Sequence, residues 1–196
     1  MSPTQIVLAT HNAHKVVELT RILGPALDGL ELVAYDGPEP VEDGATFQEN
    51  ALIKARAAAA HTGLPAIADD SGICVDALGG APGIHSARYA GTRVDTDNVA
   101  HLLAQLGDST DRAAQFACAA AFVVGDEEWV ELALWPGTVL IEPVGGGGFG
   151  YDPIFKPEGL SVSAAELRPD EKNAISHRAQ AFALLMPHVR TRLIEG

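Results

Sequence analysis

A short apolar run, Pro65-Ala66-Ile67-Ala68, ends in two adjacent carboxylates, Asp69 and Asp70, and these are followed at once by Ser71 and Gly72. A short run of this kind reads as a buried strand, and the polar break reads as the strand's end. Neighbouring like charges are costly unless positive charge lies beside them. A divalent cation is the usual answer, because hard cations take carboxylate oxygens. The stretch therefore reads as a metal or general-base site, and the chain as an enzyme handling a phosphorylated substrate.

The rest of the chain supplies strands and helices around that point. Ile6-Val7-Leu8-Ala9 reads as a buried strand, Thr10-His11-Asn12 as the turn after it, and Val16, Leu19, Ile22 and Leu23 as one helix face stopped by Gly24-Pro25. Lys15 falls in the first helical turn, where a lysine opposes the helix dipole. Beside backbone N–H groups it makes a phosphate ligand, the alternative being a surface lysine. Leu32-Val33-Ala34 predicts a second strand. Thr46-Phe47-Gln48-Glu49 fits a capping box opening an alanine-rich helix to about His61, closed by Gly63. Glu49 and Asn50 lie in its first turn, with Lys54 one turn below Asn50.

Further on, Ile73 to Leu78 predicts a strand of its own, Gly79 to Gly83 a tight loop, and Asp95 or Thr96 a helix cap. Ala114–Val124 and Trp129–Trp135 read as a hairpin turned at Gly125-Asp126, with Val139 to Glu142 as another strand. Gly145 to Gly150 is a loop. A final helix is expected from near Asn173 to about Met186, with Ala174, Ala181, Leu184 and Leu185 inward and Pro187 ending it. Strand–helix units followed by a meander point to a mixed α/β fold of two lobes over residues 1–196.

Composition narrows the function. A net charge of −13 argues against a nonspecific nucleic-acid surface, which needs Lys and Arg, but leaves room for one basic pocket taking a small nucleotide. Cys74 and Cys118 are isolated among apolar neighbours and read as buried free thiols of a reducing compartment. Met1 to Gln5 lacks the pattern of a secretory leader, and no apolar run is long enough for a membrane span, so the expected location is the cytoplasm.

Three polar clusters carry the chemistry: Thr10, Asn12 and Lys15; Glu42, Glu49, Asn50, Asp69, Asp70 and Ser71; and Phe149-Gly150-Tyr151-Asp152 with Lys172, His177 and Arg178. Together they supply what phosphoanhydride hydrolysis needs. Carboxylates hold Mg²⁺ with several of its waters in place. Lysine and arginine neutralise phosphate oxygens. One carboxylate accepts a proton from the attacking water. The rival signals are weak: the glycine-rich stretch is not followed by Gly-Lys-Ser or Gly-Lys-Thr, and Ser71 lacks the setting of a hydrolase nucleophile.

Six ordered motifs, Thr10-x-Asn12-x-x-Lys15, Phe47-x-Glu49-Asn50-x-x-x-Lys54, Ala68-Asp69-Asp70-Ser71-Gly72, Pro82-Gly83-x-x-Ser86-Ala87-Arg88-Tyr89, Phe149-Gly150-Tyr151-Asp152-Pro153 and Lys172-x-x-x-Ser176-His177-Arg178, resemble the inosine triphosphate pyrophosphatase family. Its bacterial members are also called noncanonical purine NTP pyrophosphatases, or Ham1/RdgB-like proteins. The resemblance runs from about residue 6 to 186.

The resemblance implies a homodimeric α/β protein with a long curved mixed sheet, two lobes and a central nucleotide cleft. It implies Mg²⁺-dependent hydrolysis of ITP, dITP and XTP to the monophosphate and pyrophosphate, which clears deaminated purines from the nucleotide pool. On this chain it makes Asp70 the general base and a metal ligand, and Glu42 a second metal ligand. Thr10, His11, Asn12, Ala13, His14, Lys15 and Ser71 become triphosphate and substrate contacts. Phe149, Gly150, Tyr151, Asp152, Lys172, His177 and Arg178 become the base-binding set, while Glu49, Asn50, Lys54 and Asp69 support metal and phosphate. The family usually has glycine where this chain has His11, whose charge when protonated would aid phosphate binding.

A purine C6 oxygen in place of adenine's amino group is selected by a donor such as Lys172 or a backbone N–H. The alternatives are a pyrophosphatase for other modified nucleoside triphosphates, a phosphatase removing one phosphate at a time, and a nucleotide-binding regulator without turnover.

Overall fold

The computed structural model describes residues 3–195. Met1, Ser2 and Gly196, which belong to the expected span 1–196 and in part to the leader reading, lie outside the described residues. In chain order the main elements are β1 (Thr4–Leu8), α1 (Ala13–Leu23), β2 (Leu30–Ala34), α2 (Phe47–Thr62), β3 (Ala66–Val75), α3 (Asp95–Leu106), β4 (Ala113–Val124), β5 (Glu127–Val139), β6 (Phe155–Pro157), α4 (Pro169–Ile175) and α5 (His177–Arg190). The hydrogen-bonded strand order is β2-β1-β3-β4-β5-β6. β1 runs parallel to β2 and β3, and β5 antiparallel to β6. The fold is α/β with a mixed sheet, as expected.

The chain divides into two compact units. One takes in the chain up to Asp70, Cys118–Ala133 and the chain from Arg178 onward; the other takes in Ser71–Ala117 and Leu134–His177.

In the first unit the strands are apolar on both faces, as parallel strands flanked by helices must be. Ile6 and Leu8 of β1 and Ile67 of β3 pack with Leu19 and Leu23 of α1 and Phe182, Leu185 and Val189 of α5. Val7, Ala66 and Ala68, with Ala119 and Ala121 of β4, pack with Ala51, Ala55 and Ala58 of α2. Small residues on both sides let α2 lie close. Asn12 caps α1, its side-chain oxygen accepting from the N–H groups of His14 and Lys15, and Gly63 closes α2 in the left-handed conformation. The second unit has its own core, with Ile73 and Val75 of β3, Leu102 of α3, and Phe116, Trp135, Ile154 and Phe155.

Several boundaries differ from expectation. β3 does not end at the carboxylates but runs on to Val75 as one strand, because each carboxylate meets its own positive partner and can stay buried. β5 likewise runs unbroken to Val139, so no separate strand covers Val139 to Glu142. Gly137 permits this, since a side chain there would strike the Phe155 ring and the Lys156 carbonyl.

The expected last helix is two, α4 and α5, parted at Ser176. Pro187 lies inside α5 and does not end it; burial of Met186 and Val189 outweighs the lost hydrogen bond. Ala174 and Leu184 are exposed, contrary to their expected inward position. α3 is capped at Val94 without a side-chain bond, and neither Asp95 nor Thr96 serves as its cap. Glu49 reaches back to the Ala45 N–H, so only the Thr46 half of the capping box forms. Cys118 is buried, but Cys74 only partly so.

Candidate active site

Strand alternation decides what Asp69 and Asp70 do. Side chains along a strand point to opposite faces in turn. Asp69 therefore follows Ile67 toward α1 and α5, and Asp70 follows Ala68 toward α2.

On the first face Asp69 Oδ2 accepts from Lys15 Nζ at 2.9 Å and from Arg178 Nε at 3.2 Å. Arg178 also pairs with Glu18 through its Nη1. Cys118 Sγ lies 3.8 Å from the same Asp69 oxygen. Asp69 Oδ1 is buried and has no hydrogen-bond partner among the described residues. Burial alone would raise the Asp69 pKa, but the charges of Lys15, Arg178 and Lys54 and the Lys15 hydrogen bond outweigh it and hold the carboxyl well below the usual range. Arg178 is pushed the other way: burial opposes its charge, and Asp69 and Glu18 more than restore it. Cys118 is held as a thiol by burial and by Asp69.

On the second face Lys54 Nζ lies 3.0 Å from Asp70 Oδ1 and 3.2 Å from Glu42 Oε2. Asn50 Nδ2 donates to Asp70 Oδ2 at 3.3 Å, while Asn50 Oδ1 accepts from the Gly44 N–H at 2.9 Å. Asn50 thus ties the acidic loop to β3. Burial would lower the Lys54 pKa, but Asp70, Asp69 and Glu42 together raise it. The cations Lys15, Lys54 and Arg178 face the carboxylates Glu18, Glu42, Asp69 and Asp70, three charges against four.

The loop from Thr10 to Lys15 opens α1 beside this set. Thr10 Oγ1 accepts from the Asn12 N–H. His11, Asn12, Ala13 and His14 are exposed, and the His11 ring lies 5.3 Å from that of Tyr35. Lys15 is held by Asp69, which gives it a carboxylate partner that its expected role as a phosphate ligand did not include. Ser71 is half-buried and follows Asp70 in β3.

The second unit holds the other cluster. Lys172 Nζ donates to Asp152 Oδ2 at 2.6 Å, and both side chains are buried. The same oxygen accepts from the Phe149 N–H at 2.9 Å, and the Lys172 ammonium stands 5.2 Å from the centre of the Phe149 ring. Tyr151 is buried and donates to the Ser86 carbonyl at 2.8 Å. The His177 ring stacks on Phe116 with centroids 4.7 Å apart. The Gly150 N–H donates to Asp95 Oδ2 at 2.7 Å.

Phe149, Gly150, Tyr151, Asp152, Lys172 and His177 belong to the second unit and Arg178 to the first. Arg178, expected in the base-binding set, makes ion pairs with Asp69 and Glu18. Glu18, Ser86 and Asp95 were not anticipated. Glu18 lies one turn beyond Lys15 on α1, a spacing that hints at a shared face; Ser86 and Asp95 had only their places in a motif and near a helix start.

Comparison with known proteins follows the same lines. A model of the Ham1 family matches residues 6–188. This chain belongs to the Ham1 family. The Ham1 assignment is matched by relatives of similar length. The chain is 58% identical over 190 residues to a dITP/XTP pyrophosphatase of Leifsonia xyli, covering 95% of this chain and 96% of that one. It is 53% identical to a dITP/XTP pyrophosphatase of Streptomyces coelicolor, covering 97% and 99%. Among solved structures, the Staphylococcus aureus Ham1 protein superposes with a TM-score of 0.86 at 37% identity, covering 96% of this chain and 100% of that one. No helix among the described residues is long and apolar enough to cross a membrane.

Proposed function

We propose that this Ham1-family chain hydrolyses ITP, dITP and XTP to the nucleoside monophosphate and pyrophosphate, with Mg²⁺, and so clears deaminated purines from the nucleotide pool. The observation that carries the reading is the convergence of Asp70 of β3, Asn50 and Lys54 of α2 and Glu42 of the loop before α2. The names of the relatives from Leifsonia xyli and Streptomyces coelicolor support the substrate class.

The donor chemistry fits a divalent cation. Glu42 Oε2 and Asp70 Oδ1 are hard oxygens that already converge on one positive centre. No group of three His, Cys, Asp or Glu side chains gathers as metal ligands among the described residues. Glu42 and Asp70 would therefore hold Mg²⁺ with waters and phosphate oxygens completing its shell, as this ion prefers. When bound it would supply charge neutralisation at the phosphates.

The chain's own residues do the rest. Asp70 takes the proton of the attacking water as the anhydride between the α- and β-phosphates breaks and pyrophosphate leaves. Lys54 and Lys15 offset charge on the phosphate oxygens. Asn50 orients Asp70. The loop Thr10, His11, Asn12, Ala13 and His14, with Ser71, contacts the triphosphate. Phe149 offers a face for a base, Gly150 and Tyr151 shape the loop around it, and Asp152, Lys172 and His177 supply polar groups for a 6-oxo purine edge. Asp152 accepts from Lys172 and so fixes the ammonium in place. The homodimer and the cytoplasmic location rest on the resemblance and on two free cysteines.

The test is incubation of the purified protein with Mg²⁺ and ATP, GTP, ITP, XTP, dITP or dUTP, with all phosphorus products resolved. IMP or XMP with pyrophosphate, little turnover of ATP or GTP, and loss of activity in Asp70→Asn are expected. Orthophosphate released stepwise, or another preferred base, would overturn the assignment.

A further inference from the structure

One side chain of the protein engages both carboxylates that the metal reading uses. Lys54 Nζ bridges Asp70 Oδ1 and Glu42 Oε2 at 3.0 and 3.2 Å, and its side chain is only 12% exposed. Asn50 Nδ2 holds the other Asp70 oxygen and so keeps Oδ1 turned toward Lys54. An ammonium and a divalent cation cannot share two oxygens at hydrogen-bond distance without strong repulsion.

We infer that Lys54 is the built-in counter-ion of the Glu42–Asp70 pair, and that a divalent cation reaches these carboxylates only by displacing the Lys54 ammonium. The inference rests on the metal reading given above and adds a rule for entry. A bare ion displaces the ammonium into surroundings that offer it nothing in exchange. An ion that arrives with a triphosphate brings phosphate oxygens for the displaced ammonium to meet. Metal and nucleotide therefore bind together, and the lysine that guards the carboxylates is the one that then neutralises the substrate.

The experiment measures Mn²⁺ binding without nucleotide, from the paramagnetic resonance signal of the free ion. It compares the wild-type protein, Lys54→Met, Asp70→Asn and the double variant. Lys54→Met is expected to bind Mn²⁺ at least about tenfold tighter than wild type, since a repelling charge is removed. Asp70→Asn is expected to abolish that gain.

If Lys54→Met binds no tighter while Asp70→Asn still removes binding, the counter-ion role is overturned and the metal reading stands. If Asp70→Asn leaves binding unchanged, the metal reading fails and the inference goes with it. Absence of binding in both wild type and Lys54→Met also overturns the inference. A second measurement needs no variant: acetylation of Lys54 by acetic anhydride, read by mass spectrometry against Lys156. Mg²⁺ raised until it displaces Mn²⁺ from the protein is expected to raise Lys54 labelling severalfold, and unchanged labelling at that occupancy would overturn the displacement.

Discussion

Arg178 Nε donates to Asp69 Oδ2 across 3.2 Å and 109 positions of sequence, and the two side chains are 2% and 0% exposed. The bond pins the start of α5 to the middle of β3, and Glu18 extends it to α1. Removing one partner of a buried ion pair leaves an uncompensated charge and costs about 3–5 kcal/mol. Arg178→Met is expected to fall in that range by urea unfolding, with Glu18→Gln costing less because Arg178 keeps Asp69.

Acid should weaken the fold through the same carboxyl. The folded-state pKa of Asp69 is depressed, so its stabilisation is complete above the unfolded-state value of about 3.9. It shrinks as pH falls below that value and is gone only below the lower folded-state value. Unfolding free energies of the wild type are expected to drop between about pH 5 and pH 3, and Asp69→Asn should show a shallower drop from a lower starting point. Parallel curves for the two proteins would contradict this.

Asn50→Ala removes the acceptor of the Gly44 N–H and the donor to Asp70 in one step. A loss of about 1–3 kcal/mol follows for buried groups left unpaired. Because Asp70 loses its orienting bond, turnover of ITP at saturating Mg²⁺ should also fall. Thermal melts and initial rates on the same preparation separate the two effects.

Lys172→Met strips the buried Asp152 carboxylate of its cation. Stability should fall by about 3–5 kcal/mol, and adding Asp152→Asn should restore part of it. If Lys172 reads the base, KM for ITP rises by about tenfold or more in both variants, whatever happens to stability. Recovery of KM along with stability in the double variant would make the lysine structural only.

Gly72→Ala probes the crossing of β3 past the Ser86 turn. A methyl group there would strike the Gly83 carbonyl and Ser86 Oγ, and Ser86 Oγ is engaged with the Ile73 N–H and the Gly83 carbonyl. Overpacking of this kind costs about 1–3 kcal/mol. Gly146→Ala, where nothing lies within 4 Å, is the matched control and should change stability by less than about 0.5 kcal/mol.

The strands and helices of the first unit were legible because their residues obey a simple period. Leu19 and Leu23 mark one helical face, and Asn12 and Gly63 mark ends with standard chemistry. The pairing of Asp152 with Lys172 and of Asp70 with Lys54 joins residues that the motifs had already singled out. What sequence could not show was direction. Asp69 and Asp70 read as one acidic pair seeking one cation, whereas alternation sends them to different cations on different faces. Arg178 stands next to His177 at the start of α5, yet its side chain pairs with Asp69, because neighbours on one helix point about 100° apart. Pro187 was read as a stop because the local cost of proline is visible in sequence and the burial of Val189 is not.

The placement of two acids back to back on β3 also makes the strand's alignment self-checking. A slip of one residue against β1 would put one acid in the other's place and leave the remaining place to Ser71 or Ala68, so that one set of cations loses its carboxylate. The apolar residues before them would tolerate such a slip, since Ala66, Ile67 and Ala68 are greasy on both sides. The charges would not, because Lys15 and Arg178 together demand one carboxylate and the amide of Asn50 demands another. A single-residue deletion between Pro65 and Ala68 should therefore silence the protein even if it folds, while a two-residue deletion returns each acid only to its own face, about 6–7 Å along the strand from its partners.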